Sequence, residues 1–189
     1  MPRSAQQTRQ RIQNATYILF RRRGYNRVGV DEVAAAAGIT KRTLYYHFKS
    51  KDELFASMLE AQHELTLEAF WIISEKLSGG PERIVDGIFR QLEIWSAKPG
   101  WAASGFTRLV VELADLPWHP ARVIAKRHKA IMEANLAELL SKAGVRSSRE
   151  RAREIWLLAE GAMALILIHG DRSYAKSASR AAKQLLRKR

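Results

Sequence analysis

The chain has 189 residues, the length of one domain or slightly more. Its composition, 47% hydrophobic and 27% charged, is globular and not that of a disordered chain. The absence of cysteine excludes disulfides, thiolate metal sites and cysteine nucleophiles, and it fits a reducing, cytoplasmic setting.

The formal net charge of +13 is segregated along the chain. Residues 1–51 carry eleven Lys/Arg against two acids, Asp31 and Glu32; residues 52–172 carry fifteen against seventeen; residues 173–189 carry six against none. A basic head on a near-neutral body points to a polyanion partner for the head and a separate purpose for the body. The opening stretch Met1 to Gln13 is polar with three arginines, unlike a signal peptide. The longest uncharged apolar run, Gly161 to Gly170, is about half of the ~20 residues a membrane helix needs, so no membrane association is expected.

No stretch alternates apolar and polar residues over strand length, and the expected fold is all-α with about nine helices. The first helix is predicted from about Ser4 to Arg23, with Ile12, Ala15, Ile18, Leu19 and Phe20 on one face and Gly24 as its left-handed stop. A short second helix follows over Val30 to Ala37. Gly38 breaks it, and Thr40 caps a third helix that runs through Tyr46. Ser50 with Glu53 forms a capping box that opens a long fourth helix to about Leu77, with Leu54, Met58, Ala61, Leu65 and Ile72 at helical spacing. Ser78-Gly79-Gly80-Pro81 is a break. Helices are then predicted at about 82–97, 101–115, 120–143, 148–170 and 173–188.

The second and third helices carry the functional signal. Two short helices that cross steeply need a small residue at the crossing, here Ala34, and a residue free to take positive φ in the turn, here Gly38. Ile39 and Leu44 then seal the pair, which turns the outer side of Lys41-Arg42-Thr43-Leu44-Tyr45-Tyr46-His47-Phe48 toward a major groove.

Gly24-Tyr25, Val30-Asp31-Glu32-Val33-Ala34, Ala37-Gly38-Ile39-Thr40, Thr43-Leu44-Tyr45-Tyr46-His47-Phe48 and Ser50-Lys51-Asp52-Glu53-Leu54 together resemble the DNA-binding domain of the TetR family of transcriptional regulators. The resemblance is dense over roughly residues 9–56 and rests on helix count and length beyond them. It implies a helix-turn-helix DNA-binding domain over residues 1–50 and an effector-binding and dimerisation domain over residues 51–189. It also implies a homodimer that binds a palindromic operator in double-stranded DNA through two recognition helices. Carried over position by position, Lys41, Arg42, Thr43 and Tyr45 read bases or lie beside them, while Tyr46, His47 and Lys51 contact phosphates. Lysine and arginine suit guanine edges, and a tyrosine hydroxyl or a threonine methyl makes shorter contacts. One departure stands out: Val28 and Gly29 occupy the place where the family usually has a capping Thr or Ser. Phosphate contact there falls to Arg27 or to the Val30 amide.

In the body, the penultimate helix is apolar nearly all round, and the last one sets Tyr174, Ala178, Ala181, Ala182, Leu185 and Leu186 against a basic face. In the family these two helices pair with their mates, so the homodimer contact is expected there. The tail Arg187-Lys188-Arg189 suits the negative end of a helix dipole. Five tryptophans with phenylalanines supply an aromatic lining for a small-molecule effector. The candidates are Trp95, Trp101, Phe106, Trp118 and Trp156, with Arg108 and His128 as orienting polar groups. An alternative structural reading makes the tryptophans core, Arg108 and Glu112 a surface pair, and His128 a satisfied buried histidine.

No G-x-S-x-G, glycine-rich phosphate loop or acid cluster is present, and His63, His119, His128 and His169 lack ligand spacing. Neither catalysis nor a metal or other cofactor is therefore expected. The expectation is an effector-released repressor. The alternative is a sequence-neutral architectural DNA-binding protein.

Overall fold

The computed structural model describes residues 3–75 and 79–187, apart from the side chains of Arg3, Ile73 and Glu75. Leu77, the expected end of the fourth helix, Ser78 of the expected break, and Lys188 and Arg189 of the tail lie outside the described residues. Among the described residues there are nine α-helices and no strand: α1 (Arg3–Arg23), α2 (Val30–Ala36), α3 (Lys41–His47), α4 (Lys51–Glu75), α5 (Pro81–Ser96), α6 (Gly105–Glu112), α7 (Pro120–Lys142), α8 (Ser148–His169) and α9 (Ser173–Arg187).

These helices form two compact units, Met1–Leu65 with Ser104–His128, and Thr66–Ala103 with Lys129–Arg189. This packing division falls inside α4 and α7, because the start of α4 and the α6–α7 corner share one apolar cluster with α1–α3.

The first unit is built around Ile12, Phe20, Leu44, Phe48, Leu54, Phe55, Met58, Leu59 and Leu109, all buried. Phe20 and Tyr25 both set ring edges against Phe55, at 5.7 and 4.7 Å between centroids. On α1 the core face is narrower than the periodicity implied. Ile18 is 53% exposed, and the buried place near it goes to Thr16, whose hydroxyl donates to the Ile12 carbonyl at 2.8 Å. On α4, Leu54 and Met58 are buried as expected, whereas Leu65 and Ile72 remain about half exposed.

The second unit packs α5, α8 and α9 on one another. Alanines at 152, 159 and 162 of α8 and at 175, 178 and 182 of α9 let these helices approach closely around Val85, Phe89, Leu136 and Ile155. Polar contacts fix the seam of α9 on α5: Ser179 Oγ donates to Asp86 at 2.9 Å, and Lys183 Nζ lies 2.8 Å from the same carboxylate. The lysine and serine hold Asp86 below the usual carboxylate range.

α6 is shorter than the predicted 101–115. The Ser104 hydroxyl accepts from the Thr107 amide at 3.3 Å and sets its start. At its end, one guanidinium nitrogen of Arg122 donates to the carbonyls of Leu113 and Ala114, at 3.0 and 2.9 Å, and Pro117 lacks the amide hydrogen that would carry the helix on from Leu113.

Candidate nucleic-acid interface

The turn between α2 and α3 forms for local reasons. Gly38 takes φ +64°, its amide donates to Ala35 O at 3.0 Å, and the Ile39 amide donates to Ala34 O at 3.0 Å. This is a Schellman stop, which a β-carbon at Gly38 would strain. Ala34 is buried at the crossing. Thr40 then caps α3, with Oγ1 accepting from the Thr43 amide at 3.1 Å. Leu44 and Phe48, four residues apart, point into the core with no exposure, and that fixes which side of α3 faces out.

The outer side presents the expected residues. Lys41, Arg42, Tyr45 and Tyr46 are exposed, Tyr46 by 83%, while Thr43 and His47 are half-buried. Their partners differ. Thr43 Oγ1 shares a hydrogen bond with Thr40 Oγ1 at 2.9 Å. Lys41 Nζ sits 3.0 Å from the Asp31 carboxylate of α2, which holds its ammonium above the ordinary lysine range. Tyr46 packs edge-on to His47 at 5.3 Å.

Arg9 of α1, absent from the expected contacts, secures the end of α3. Its guanidinium donates to the His47 carbonyl at 2.8 Å and to Ser57 Oγ at 3.0 Å, and it covers the Phe48 ring at 4.2 Å. Gly29 serves as the N-cap of α2 with no side-chain hydrogen bond, in line with the missing hydroxyl, and Arg27 beside it is exposed.

The start of α4 continues the same surface. Ser50 Oγ accepts from the Glu53 amide at 3.0 Å, while Glu53 reaches back to the Lys49 amide at 2.8 Å, one residue earlier than in a standard capping box. Lys51 Nζ rests over the Tyr25 ring at 4.3 Å, and partial burial lowers its ammonium below the ordinary range. The Tyr25 hydroxyl donates to Asp52 at 2.6 Å. Burial and the adjacent carboxylate hold that phenol protonated well above its usual range, and the same bond depresses Asp52.

Two further residues reach this loop from α6. Arg108 donates to the Arg21 carbonyl at 3.0 Å and to Glu112 at 2.9 Å, and Glu112 accepts from the Tyr25 amide at 2.6 Å. Gly24, at φ +83°, leaves the space they occupy: a β-carbon there would lie 2.5 Å from the Glu112 carboxylate. The pair therefore clasps the loop after α1, which is neither an effector-orienting role nor that of a surface pair.

The other effector candidates separate. Phe106, Arg108, Trp118 and His128 belong to the first unit, and Trp95, Trp101 and Trp156 to the second. Trp118 is 92% exposed, so it lines no apolar cavity in its unit. His128 is buried, with Nδ1 2.9 Å from His63 Nδ1 and Phe106 stacked on its ring at 3.7 Å, which matches the satisfied buried histidine. In the second unit Trp95 and Trp101 meet edge to face at 5.7 Å. The indole N–H groups of Trp101 and Trp156 are buried without an acceptor. Glu160 pairs with Lys129 of its own chain. Among the described residues no three His, Asp or Glu side chains converge as metal ligands would. No described helix is long and apolar enough to cross a membrane.

Comparison with known proteins follows the same division. Residues 12–58 match the family model described as bacterial regulatory proteins, tetR family. The HTH-type transcriptional regulator AcrR of Shigella flexneri is 40% identical over 68 residues, covering 34% of this chain and 32% of that protein. TtgR of Pseudomonas putida is 38% identical over 60 residues, 32% of this chain and 29% of that one. The chain thus spans about a third of the length of the curated relatives it matches. A solved TetR-family transcriptional regulator from Streptomyces coelicolor superposes with a TM-score of 0.84 at 25% identity, covering 95% of this chain and 94% of that one. Reduced NemR of Escherichia coli shares the fold at a TM-score of 0.86 and 19% identity, over 94% and 96% of the two chains. Residues 12–58 thus carry the N-terminal domain described for the tetR family of bacterial regulatory proteins, and nearly the whole chain has the fold of a solved TetR-family regulator.

Proposed function

We propose that the protein is a DNA-binding transcriptional regulator, a repressor that holds a palindromic operator as a homodimer and releases it when a small molecule binds. The observation that carries this reading is the outer face of α3. Lys41, Arg42, Tyr45 and Tyr46 stand exposed on a helix whose opposite face, Leu44 and Phe48, is locked in the core. In this reading Lys41, Arg42, Thr43 and Tyr45 meet base edges, and Tyr46, His47 and Lys51 meet phosphates. Residues 1–50 form the functional DNA-binding domain, and residues 51–189 sense and dimerise.

Dimerisation is assigned to α8 more than to α9. Leu157, Leu165 and Ile168 of α8 are exposed in the single chain, with Gly161 exposed between them. By contrast Ala178 and Ala182 of α9, expected to pack on the mate, are spent on α5 and α8 of their own chain. The effector site is assigned to the second unit at Trp95, Trp101 and Trp156. Two buried indole donors without acceptors favour an aromatic or apolar molecule that carries a hydrogen-bond acceptor.

The net charge of +13 also favours a second reading, sequence-neutral coating of DNA. Binding to the DNA upstream of the protein's own coding region, against excess random duplex at two salt concentrations, decides between them. The regulator keeps a specific complex at ~200 mM salt, where non-specific binding has largely gone. A protein that shows no preference for any site in a genome-wide selection is not the proposed regulator.

A further inference from the structure

We infer that His119, at the start of α7, is a positioning residue for the DNA phosphate contact made by Lys51. The inference rests on the DNA-binding reading above.

His119 lies 68 residues after Lys51 in sequence but in the same compact unit, and it is buried. Its Nδ1 accepts from the Ala121 amide at 3.2 Å, the bond of an N-cap to the second residue of its helix. An acceptor nitrogen carries no proton, so the neutral ring must hold its proton on Nε2. That nitrogen is buried 3.3 Å from Asp52 Oδ1, close enough for an ionic contact but without the alignment of a hydrogen bond to it or to any other acceptor. The cap of α7 therefore sets the tautomer, and the tautomer places the ring's one N–H on the side next to Asp52.

Asp52 Oδ1 also accepts the Tyr25 hydroxyl at 2.6 Å. The His119 ring stands edge-on to the Tyr25 ring at 5.5 Å, and Lys51 Nζ lies over the same Tyr25 ring at 4.3 Å. The imidazole thus touches the Asp52 carboxylate and also the Tyr25 ring, which with Phe55 forms the seat of the Lys51 ammonium. Lysine on a flexible stem loses rotamer freedom when it is held for a phosphate, and a preformed seat lowers that cost. Without the imidazole beside it, Asp52 keeps the Tyr25 hydroxyl but can turn its other oxygen toward Lys51 and compete with the phosphate for its charge.

The variant His119→Asn separates the two jobs of the side chain. Asparagine is a good N-cap, so it retains the bond to Ala121, but it is too short to reach Asp52. The test measures binding of the full chain to a random-sequence 30-base-pair duplex over a range of salt, for wild type, H119N, K51A and the double variant, with melting temperatures alongside. The expected result is a wild-type melting temperature for H119N with several-fold weaker binding. Its slope of log K against log salt should be shallower by up to about 0.9, the value of one phosphate contact. In the K51A background H119N should change nothing further.

H119N binding like wild type, or weakening K51A as much as wild type, overturns the positioning role while leaving the DNA reading intact. A wild-type chain that binds no duplex at any salt overturns both.

Discussion

The two compact units are held together by different kinds of core. Of the twelve largest fully buried side chains among the described residues, ten lie in the first unit; Phe89 and Leu136 are the exceptions. In the second unit seven of the fifteen buried core residues are alanine. Interlocked aromatic rings and leucines allow one arrangement, which suits a unit that must hold a reading helix at a fixed angle. Close helix seams made of alanine leave the bulky side chains at the margins. There Trp101 and Trp156 are only partly covered and carry buried donors without acceptors.

Substitutions can sharpen that contrast. The largest effect is expected for Phe48→Ala, which removes a fully buried ring between α3 and Arg9 and should cost about 3–5 kcal/mol in chemical denaturation. DNA binding should fall with it. Ile155→Ala in the second unit should cost about 2–5 kcal/mol yet leave duplex binding by the surviving folded protein unchanged. Equal loss of DNA binding in both variants would mean that the two cores are one cooperative whole.

Gly24→Ala comes next, at about 1–3 kcal/mol, because the residue needs positive φ and its β-carbon would strike Glu112. Glu112→Gln should relieve none of that strain, since the amide occupies the same space.

Replacing Arg42 or Tyr45 with alanine should cost about 1–3 kcal/mol at a cognate site and narrow the gap to random DNA, whereas Lys51→Ala should weaken all DNA alike. Competition binding separates the two patterns, and undiminished discrimination by Arg42→Ala would remove it from the base readers. Asp31→Ala releases Lys41 and should strengthen duplex binding with little change in stability.

The smallest effect is pH-dependent. Tyr25 is held protonated in the folded unit, so its contribution is complete below the ordinary tyrosine value of about 10 and is lost as pH rises past it. Asp52 is depressed, so its contribution is present above about 4 and disappears as pH falls. The stability gap between wild type and Tyr25→Phe should therefore narrow at alkaline pH, measured by denaturation at pH 8 and pH 11. A gap as wide at pH 11 as at pH 8 would show that the hydroxyl contributes nothing through its proton.

By itself the sequence determined the helices, the turn at Gly38, the cap at Thr40 and the outward row on α3. Each of these depends on residues within one or two turns of each other, and helical periodicity displays such relations directly. It also misled where periodicity was all there was: Ile18 and Ile72 fit the stripe but stand about half exposed, and α6 ends earlier than its apolar pattern does. Only the tertiary structure decided that Glu112 caps the Tyr25 amide, that Asp52 joins Tyr25 to His119, that His128 belongs to His63, and that the alanines of α9 are used within their own chain. Glu112 and Tyr25 lie 87 residues apart, His63 and His128 65 apart, and no period or motif marks such a pair. A polar partner that distant is chosen by which helix ends the packed core brings within 3 Å, and that choice exists only once the core has formed.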